Sequence, residues 1–319
     1  MNNNIIYWYI IALINSIGKF NASGLSRIVP DISHDQFTRL LKKYIEAELL
    51  LWYCIQRIHP LTKGYLIIDD TWLPKCFSWI FKLVKVQRSG KFKLQLPGIT
   101  VVLLIWTDGV YRIPVSIRVW KQGGKTKPEL AFEIISKVRN KLKYKPKYIT
   151  FDSHYATKPI LKLLDGYGWI YVTNIPRSRT INETQVYSLL RGGYMQTCGK
   201  AWYGGKVRVF RNKDRFYICN RLSYDRQKVM AMWKSRTVIE EVFRILKQAC
   251  GFVGCQMRND KAYENHFNFC LINFLVLEAT RIQYLRQGKK VSIYKIRENA
   301  ILQKQLFIPP VLTRLSLIA

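Results

Sequence analysis

Trp233, Arg236, Glu240 and Lys247 lie at offsets of 0, 3, 7 and 14 in a stretch, 233–247, without Gly or Pro. At about 100° per residue those offsets bring the four side chains within a sector of roughly 60° on one helix. Arg244 lies just beside them, and Ile239, Val242, Phe243 and Leu246 form an apolar stripe on the other side. One carboxylate ringed by cations and flanked by an aromatic has two readings. It can be a solvated face laced with i,i+4 ion pairs. It can also be the wall of a site, where Glu240 helps hold a divalent cation while Arg236, Lys247 and Arg244 grip phosphates and Trp233 stacks a base. The second reading needs further carboxylates.

Two are delivered by strands. Tyr65–Ile68 is a short, continuous apolar run, as a buried strand should be, and Asp69, Asp70 and Thr71 follow it. Lys147–Phe151 reads as a later strand and ends in Asp152. Between them, 99–106 and 110–120 are rich in Val and Ile and flank Thr107-Asp108-Gly109, a hairpin signal. A helix over 128–142 with Pro128 near its start, a helix over 157–164 and a strand over 169–173 complete an α/β pattern. Carboxyl ends of neighbouring strands meet at one sheet edge. Asp69 and Asp152 can therefore converge, with Glu240 brought in from a helix packed on the sheet. Three carboxylates make an oxygen site suited to Mg²⁺ or Mn²⁺, and two such ions would serve phosphodiester chemistry. Asp69 and Asp70 are alternatives as ligand, since neighbours on a strand point oppositely.

The composition suits a polyanionic partner. Fifty-two Lys and Arg stand against 20 Asp and Glu, a formal charge of +32, and such a field attracts nucleic acid. The basic residues are interleaved with Tyr and Trp rather than confined to an amphipathic helix, which argues against a membrane surface. The longest apolar run, 269–277, is too short to span a bilayer. Seven Cys without CxxC spacing read as thiols of a reducing cytosol. Cys250, Cys255, His266 and Cys270 match no common zinc pattern. The first 60 residues read as helical. A short helix near Gly24 and a long one from His34 to about Tyr53, capped by Ser33 and carrying Gln36, Thr38, Arg39 and Lys42, have the form of a helix-turn-helix. An ordinary helical hairpin is the alternative.

Trp233-x2-Arg236-x3-Glu240-x6-Lys247, Ile68-Asp69-Asp70-Thr71 and Phe151-Asp152-Ser153-His154-Tyr155 together resemble three motifs of one family. These are the bacterial insertion-sequence transposases with an RNase H-like core and an Asp-Asp-Glu triad, in the branch with a Tyr-x2-Arg-x3-Glu-x6-Lys helix (insertion-sequence 4-like). Trp replaces the Tyr here. The resemblance spans roughly 60–285. It implies an RNase H-like mixed sheet flanked by helices at 61–174 and 222–287. It also implies a helical DNA-binding region at 1–60, a β-rich insertion at 175–221 and a basic tail at 288–319. It further implies a Mg²⁺-dependent enzyme that cuts DNA at its own element ends and joins 3′-hydroxyls to target DNA. Asp69, Asp152 and Glu240 would be the catalytic metal ligands, with Arg236, Lys247, Arg244 and Trp233 on the DNA. The implied partner is double-stranded DNA, bound as a homodimer in the cytoplasm at the nucleoid. A nuclease of the same core without strand joining, or an inactive DNA-binding descendant, would share much of this pattern.

Overall fold

The structure is a computed structural model, and it describes residues 2–18, 20–29, 31–75, 81–88, 94–142, 145–190, 195–302 and 306–314. Four helices come first: α1 (Asn2–Asn15), α2 (Ala22–Ser26), α3 (His34–Lys42) and α4 (Ala47–Ile58). Strands β1 (Tyr65–Pro74), β2 (Lys85–Arg88), β3 (Gln95–Thr107) and β4 (Arg112–Val119) follow, then α5 (Lys127–Lys141), β5 (Ile149–Phe151), α6 (Lys158–Gly166) and β6 (Tyr171–Ile175). The stretch expected as an insertion supplies β7 (Thr180–Ile181), β8 (Thr184–Gln185), α7 (Val186–Leu189), β9 (Gln196–Lys200), β10 (Lys206–Asn212) and β11 (Arg215–Cys219). Helices α8 (Arg226–Lys234), α9 (Thr237–Ala249), α10 (Asp260–Arg286), α11 (Ile293–Leu302) and α12 (Pro310–Arg314) close the chain.

The main sheet runs β2-β3-β1-β5-β6-β11-β10-β9, with β4 also on β3. The β1–β5 and β5–β6 pairs are parallel, and the rest are antiparallel. This is the mixed α/β sheet flanked by helices that the sequence patterns imply. Three strands of the 175–221 stretch extend that sheet beyond β6, and β7 and β8 form a separate hairpin. Strand β3 is buried along almost its whole length, so it reads as an unbroken apolar run instead of an alternating one. Helix α10 is buried on nearly every side, so its inward polar side chains need partners. It carries an inward His266 whose Nε2 faces the Gly251 carbonyl at 3.0 Å and whose Nδ1 faces the Tyr9 hydroxyl at 2.8 Å. A carbonyl can only accept, so Nε2 bears the proton and the tyrosine donates to Nδ1.

Two helices expected as continuous are each split. The long helix over 34–53 breaks after Lys42, where Lys43 turns extended. Buried Asn265 of α10 donates to the carbonyls of Leu41 and Lys43, which would otherwise lack partners at a helix end. Tyr44, just past the break, is exposed. The Ser33–Gln36 capping box is present. The helix over 233–247 breaks at Ser235 and Arg236, between α8 and α9. There the Ser235 hydroxyl donates to Met232 O at 2.6 Å and meets the Tyr148 hydroxyl at 2.9 Å, and Thr237 Oγ1 donates to Lys234 O. The backbone N–H groups of Arg236, Val238 and Ile239 each reach back only three residues, the signature of a tightened 3₁₀ turn. Short hydroxyl side chains competing for backbone carbonyls account for the break.

Candidate active site

Strand β1 supplies the floor. Its pleat sends Asp69 and Thr71 to one face and Asp70 to the other. The parallel register pairs Leu66 with Ile149 and Ile67 with Thr150. Continued by two residues, it sets Asp152, the first residue past β5, beside Asp69. Asp152 turns sharply there: its Oδ1 accepts from His154 N at 2.9 Å, and its carbonyl from Tyr155 N at 3.1 Å.

Helix α9 closes the Asp69 face. Arg236, at its N-terminal edge, donates from Nη2 to Asp69 Oδ2 at 2.8 Å and reaches Glu240 Oε1 from Nη1 at 3.5 Å. Lys247, near the far end of α9, donates from Nζ to Thr71 Oγ1 at 2.6 Å. The helix stops where the Gly251 backbone takes a positive φ of 81° and Phe252 N returns to Leu246 O, a Schellman-type end. Arg236 also lies 5.4 Å from the centre of the Trp233 ring, which packs at 60° against Tyr217.

The sequence-derived residues are thus gathered unevenly. Asp69, Asp152 and Arg236 come together, with Trp233 at their rim, and Lys247 reaches the same face of β1 at Thr71. Glu240 lies in the first turn of α9 with its side chain 64% exposed, tied to the group only through Arg236. Arg244 borders a different cleft, beside Tyr294 and α11. A second cleft opens next to Asp152, lined by Asn174, Arg177, Arg215, Trp233 and Arg236.

Electrostatics mark the carboxylate pair. Burial pushes Asp69 up to about 7, the Arg236 guanidinium pulls against that, and the neighbouring Asp152 carboxylate adds to the rise. Burial also draws the Lys247 ammonium down. Asp69 and Asp152 form an all-oxygen donor set, the chemistry a hard divalent cation fits. Among the described residues, no three His, Cys, Asp or Glu side chains are already gathered closely enough to hold an ion. That holds for Cys250, Cys255, His266 and Cys270 as well.

Spacing gave no sign of two partners of the site. Lys127, at the start of α5, donates to Asp70 Oδ2 at 2.7 Å. The Tyr155 hydroxyl, inside the quoted motif but with no role assigned by it, donates to Asp70 Oδ1 at 2.8 Å.

The family model described as Transposase DDE domain matches residues 83–275. The chain belongs to the transposase DDE-domain family. The match spans Asp152 and Glu240 and begins downstream of Asp69. The piggyBac transposase, solved by cryo-EM as a synaptic complex with hairpin DNA, is similar in fold at a TM-score of 0.55 and 13% identity. The alignment covers 98% of this chain and 74% of that one. The Mos1 strand transfer complex overlaps far less, at a TM-score of 0.22 and 12% identity over 47% of this chain and 52% of that one. No curated protein matches the sequence. Among the described residues no helix is long and apolar enough to cross a membrane.

Proposed function

We propose that this transposase-family chain is the DNA transposase of an insertion sequence, of the branch with the Tyr-x2-Arg-x3-Glu-x6-Lys helix. It cuts double-stranded DNA at the ends of its own element and joins the freed 3′-hydroxyls to target DNA, acting as a homodimer at the nucleoid. The observation that carries this reading is the approach of Asp69 and Asp152 across the parallel β1–β5 pair, with Arg236 bonded to Asp69 and Lys247 bonded to Thr71 on the same strand. The DNA in the piggyBac complex and the +32 charge agree with it.

Asp69, Asp152 and Glu240 would hold Mg²⁺ or Mn²⁺, with Glu240 turning inward from the solvent-facing side of α9. Two such ions activate an attacking hydroxyl and stabilise a leaving oxygen. The chain's own groups do the rest. Arg236 balances the Asp69 charge and stands within reach of a phosphate near Asp152. Lys247, oriented by Thr71, offers a compact ammonium where charge develops on the phosphate. Trp233 offers a ring face to an unpaired base. Helices within 1–60 would read the element ends.

The test is a gel of labelled element ends incubated with Mg²⁺ and target DNA. Joined strands are expected. Cut but unjoined strands would mean a nuclease, and shifted but uncut DNA a binding descendant.

A further inference from the structure

Asp70 is one residue from the proposed ligand Asp69 and takes no part in the Asp69 face. Its carboxylate is mostly enclosed, with 20% of the side chain exposed, and both oxygens are engaged. Oδ1 accepts from the Tyr155 hydroxyl at 2.8 Å and Oδ2 from Lys127 Nζ at 2.7 Å. Tyr155 is fully buried, and its backbone N–H closes the turn onto the Asp152 carbonyl. Lys127 opens α5, with Thr126 as N-cap. One carboxylate therefore ties β1, the Asp152 turn and the start of α5 together.

We infer that Asp70 is a positioning residue that, through Tyr155, fixes the Asp152 turn against β1 and so sets how Asp69 and Asp152 face each other. The inference rests on the reading of those two aspartates as metal ligands. A buried carboxylate is costly unless paired and hydrogen-bonded, and Asp70 is both, by groups from the two elements that must hold still. Backbone pairing between β1 and β5 covers only Leu66–Ile149 and Ile67–Thr150. Beyond it, the Tyr155–Asp70 bond is, among the described residues, a direct side-chain link between the strand end bearing Asp69 and the turn bearing Asp152. Groups one shell behind metal ligands commonly matter 10–100-fold for affinity.

The experiment is a Mn²⁺ titration of the full chain without DNA, followed by electron paramagnetic resonance, with a thermal melt of every variant. Tyr155→Phe keeps the buried ring and removes only the hydroxyl. Asp70→Asn keeps an acceptor for that hydroxyl, and Asp70→Ala does not. We expect Tyr155→Phe and Asp70→Ala to weaken Mn²⁺ binding by about tenfold, and Asp70→Asn to recover most of that loss. A general packing defect would not distinguish the Asn from the Ala variant in metal affinity. Should Tyr155→Phe melt below the working temperature, the Asp70→Ala and Asp70→Asn pair decides alone. If both Asp70→Ala and Tyr155→Phe bind Mn²⁺ like the parent while Asp152→Ala does not, the positioning role is wrong and the metal site stands. If Asp70→Asn loses Mn²⁺ as fully as Asp152→Ala, Asp70 is itself a ligand and the role is equally wrong. If Asp152→Ala binds like the parent, the carboxylate site fails and the positioning role falls with it.

Discussion

Asp69 and Asp70 are chemically alike, and a one-residue step on a pleated strand gives them different partners. Asp69 meets Arg236 and lies beside Asp152, whereas Asp70 meets Lys127 and Tyr155. Asp69→Ala, Asp152→Ala or Glu240→Ala should therefore leave DNA shifts on a gel largely intact and remove cleavage. Asp70→Ala should retain measurable cleavage, and a complete loss equal to that of Asp69→Ala would move the ligand by one position. Lys247→Ala should lower the single-turnover cleavage rate on pre-bound DNA at least tenfold, about 1.4 kcal/mol of transition-state stabilisation. Lys247→Arg should rescue only in part, because a planar fork does not replace a compact ammonium. An unchanged rate with a lower melting point would return Lys247 to a packing role on Thr71. Motif spacing carried the chain as far as Asp69, Asp152, Arg236 and Lys247, because strand ends and helix faces obey fixed periods. It could not reach Lys127, whose bond to Asp70 spans 57 residues and depends on where α5 docks. Nor could it separate Arg244 from the site, because the break before α9 changes which side chains share a face with Trp233.

At the scale of elements, α9 must be held in both rotation and height for Arg236 and Lys247 to reach β1. Arg112, at the start of β4, does part of this. Its Nη1 meets Glu241 of α9 at 2.7 Å, and its Nε and Nη2 meet Glu278 of α10 at 2.9 and 2.6 Å. Glu278 is wholly buried and also paired with Arg281. The guanidinium bonds hold the Glu278 carboxyl below the usual range despite the burial that would raise it. Removing one partner of a buried pair strands the other charge, so Arg112→Ala should cost about 3 kcal/mol in urea unfolding. A cost below about 1 kcal/mol, as for a surface pair, would show Arg281 to be sufficient alone. From β1 to β6 the element order was legible, β2 excepted, because the strand runs there are largely apolar and α5 and α6 open on helix-start signals. The break after α3 was not, since it follows from a distant partner, Asn265 of α10, while the break before α9 rests on the Ser235 and Thr237 hydroxyls turning back onto backbone carbonyls. The pairing of β11 onto β6, which makes the 175–221 strands part of the main sheet, left no local trace either.

Over the whole molecule, burial works on two titrating groups in opposite senses. His266, neutral and buried, is held down to about 4 mainly by loss of solvent. Its contribution to stability is full above about 6.5 and lost as pH falls through about 4. Asp69, raised to about 7 by burial, contributes stability below about 4 that is lost as pH rises through 7. Between about 4 and 6.5 the two slopes oppose each other. Metal-free protein should thus show a shallow stability profile there in urea unfolding. Asp69→Asn should expose the His266 slope, with stability falling toward acid, and His266→Gln should expose the reverse. Parallel profiles for the two variants would contradict both assignments. The same integration bears on the N-terminal helices. Ile10 to Ile14 of α1 are fully buried, and Tyr9 is bonded to His266, so α1 completes the core that carries the site. Deleting residues 1–60 should unfold the protein instead of leaving a core with general DNA affinity. The test of DNA reading must therefore use surface changes. Arg39→Ala with Lys42→Ala on α3 should leave the melting point within a few degrees. The pair should weaken binding to the element ends more than to unrelated duplex, and total affinity should fall steeply with salt as phosphate contacts release counterions. An equal loss on both DNAs would make α3 a phosphate contact and leave the element ends to be read elsewhere on the molecule.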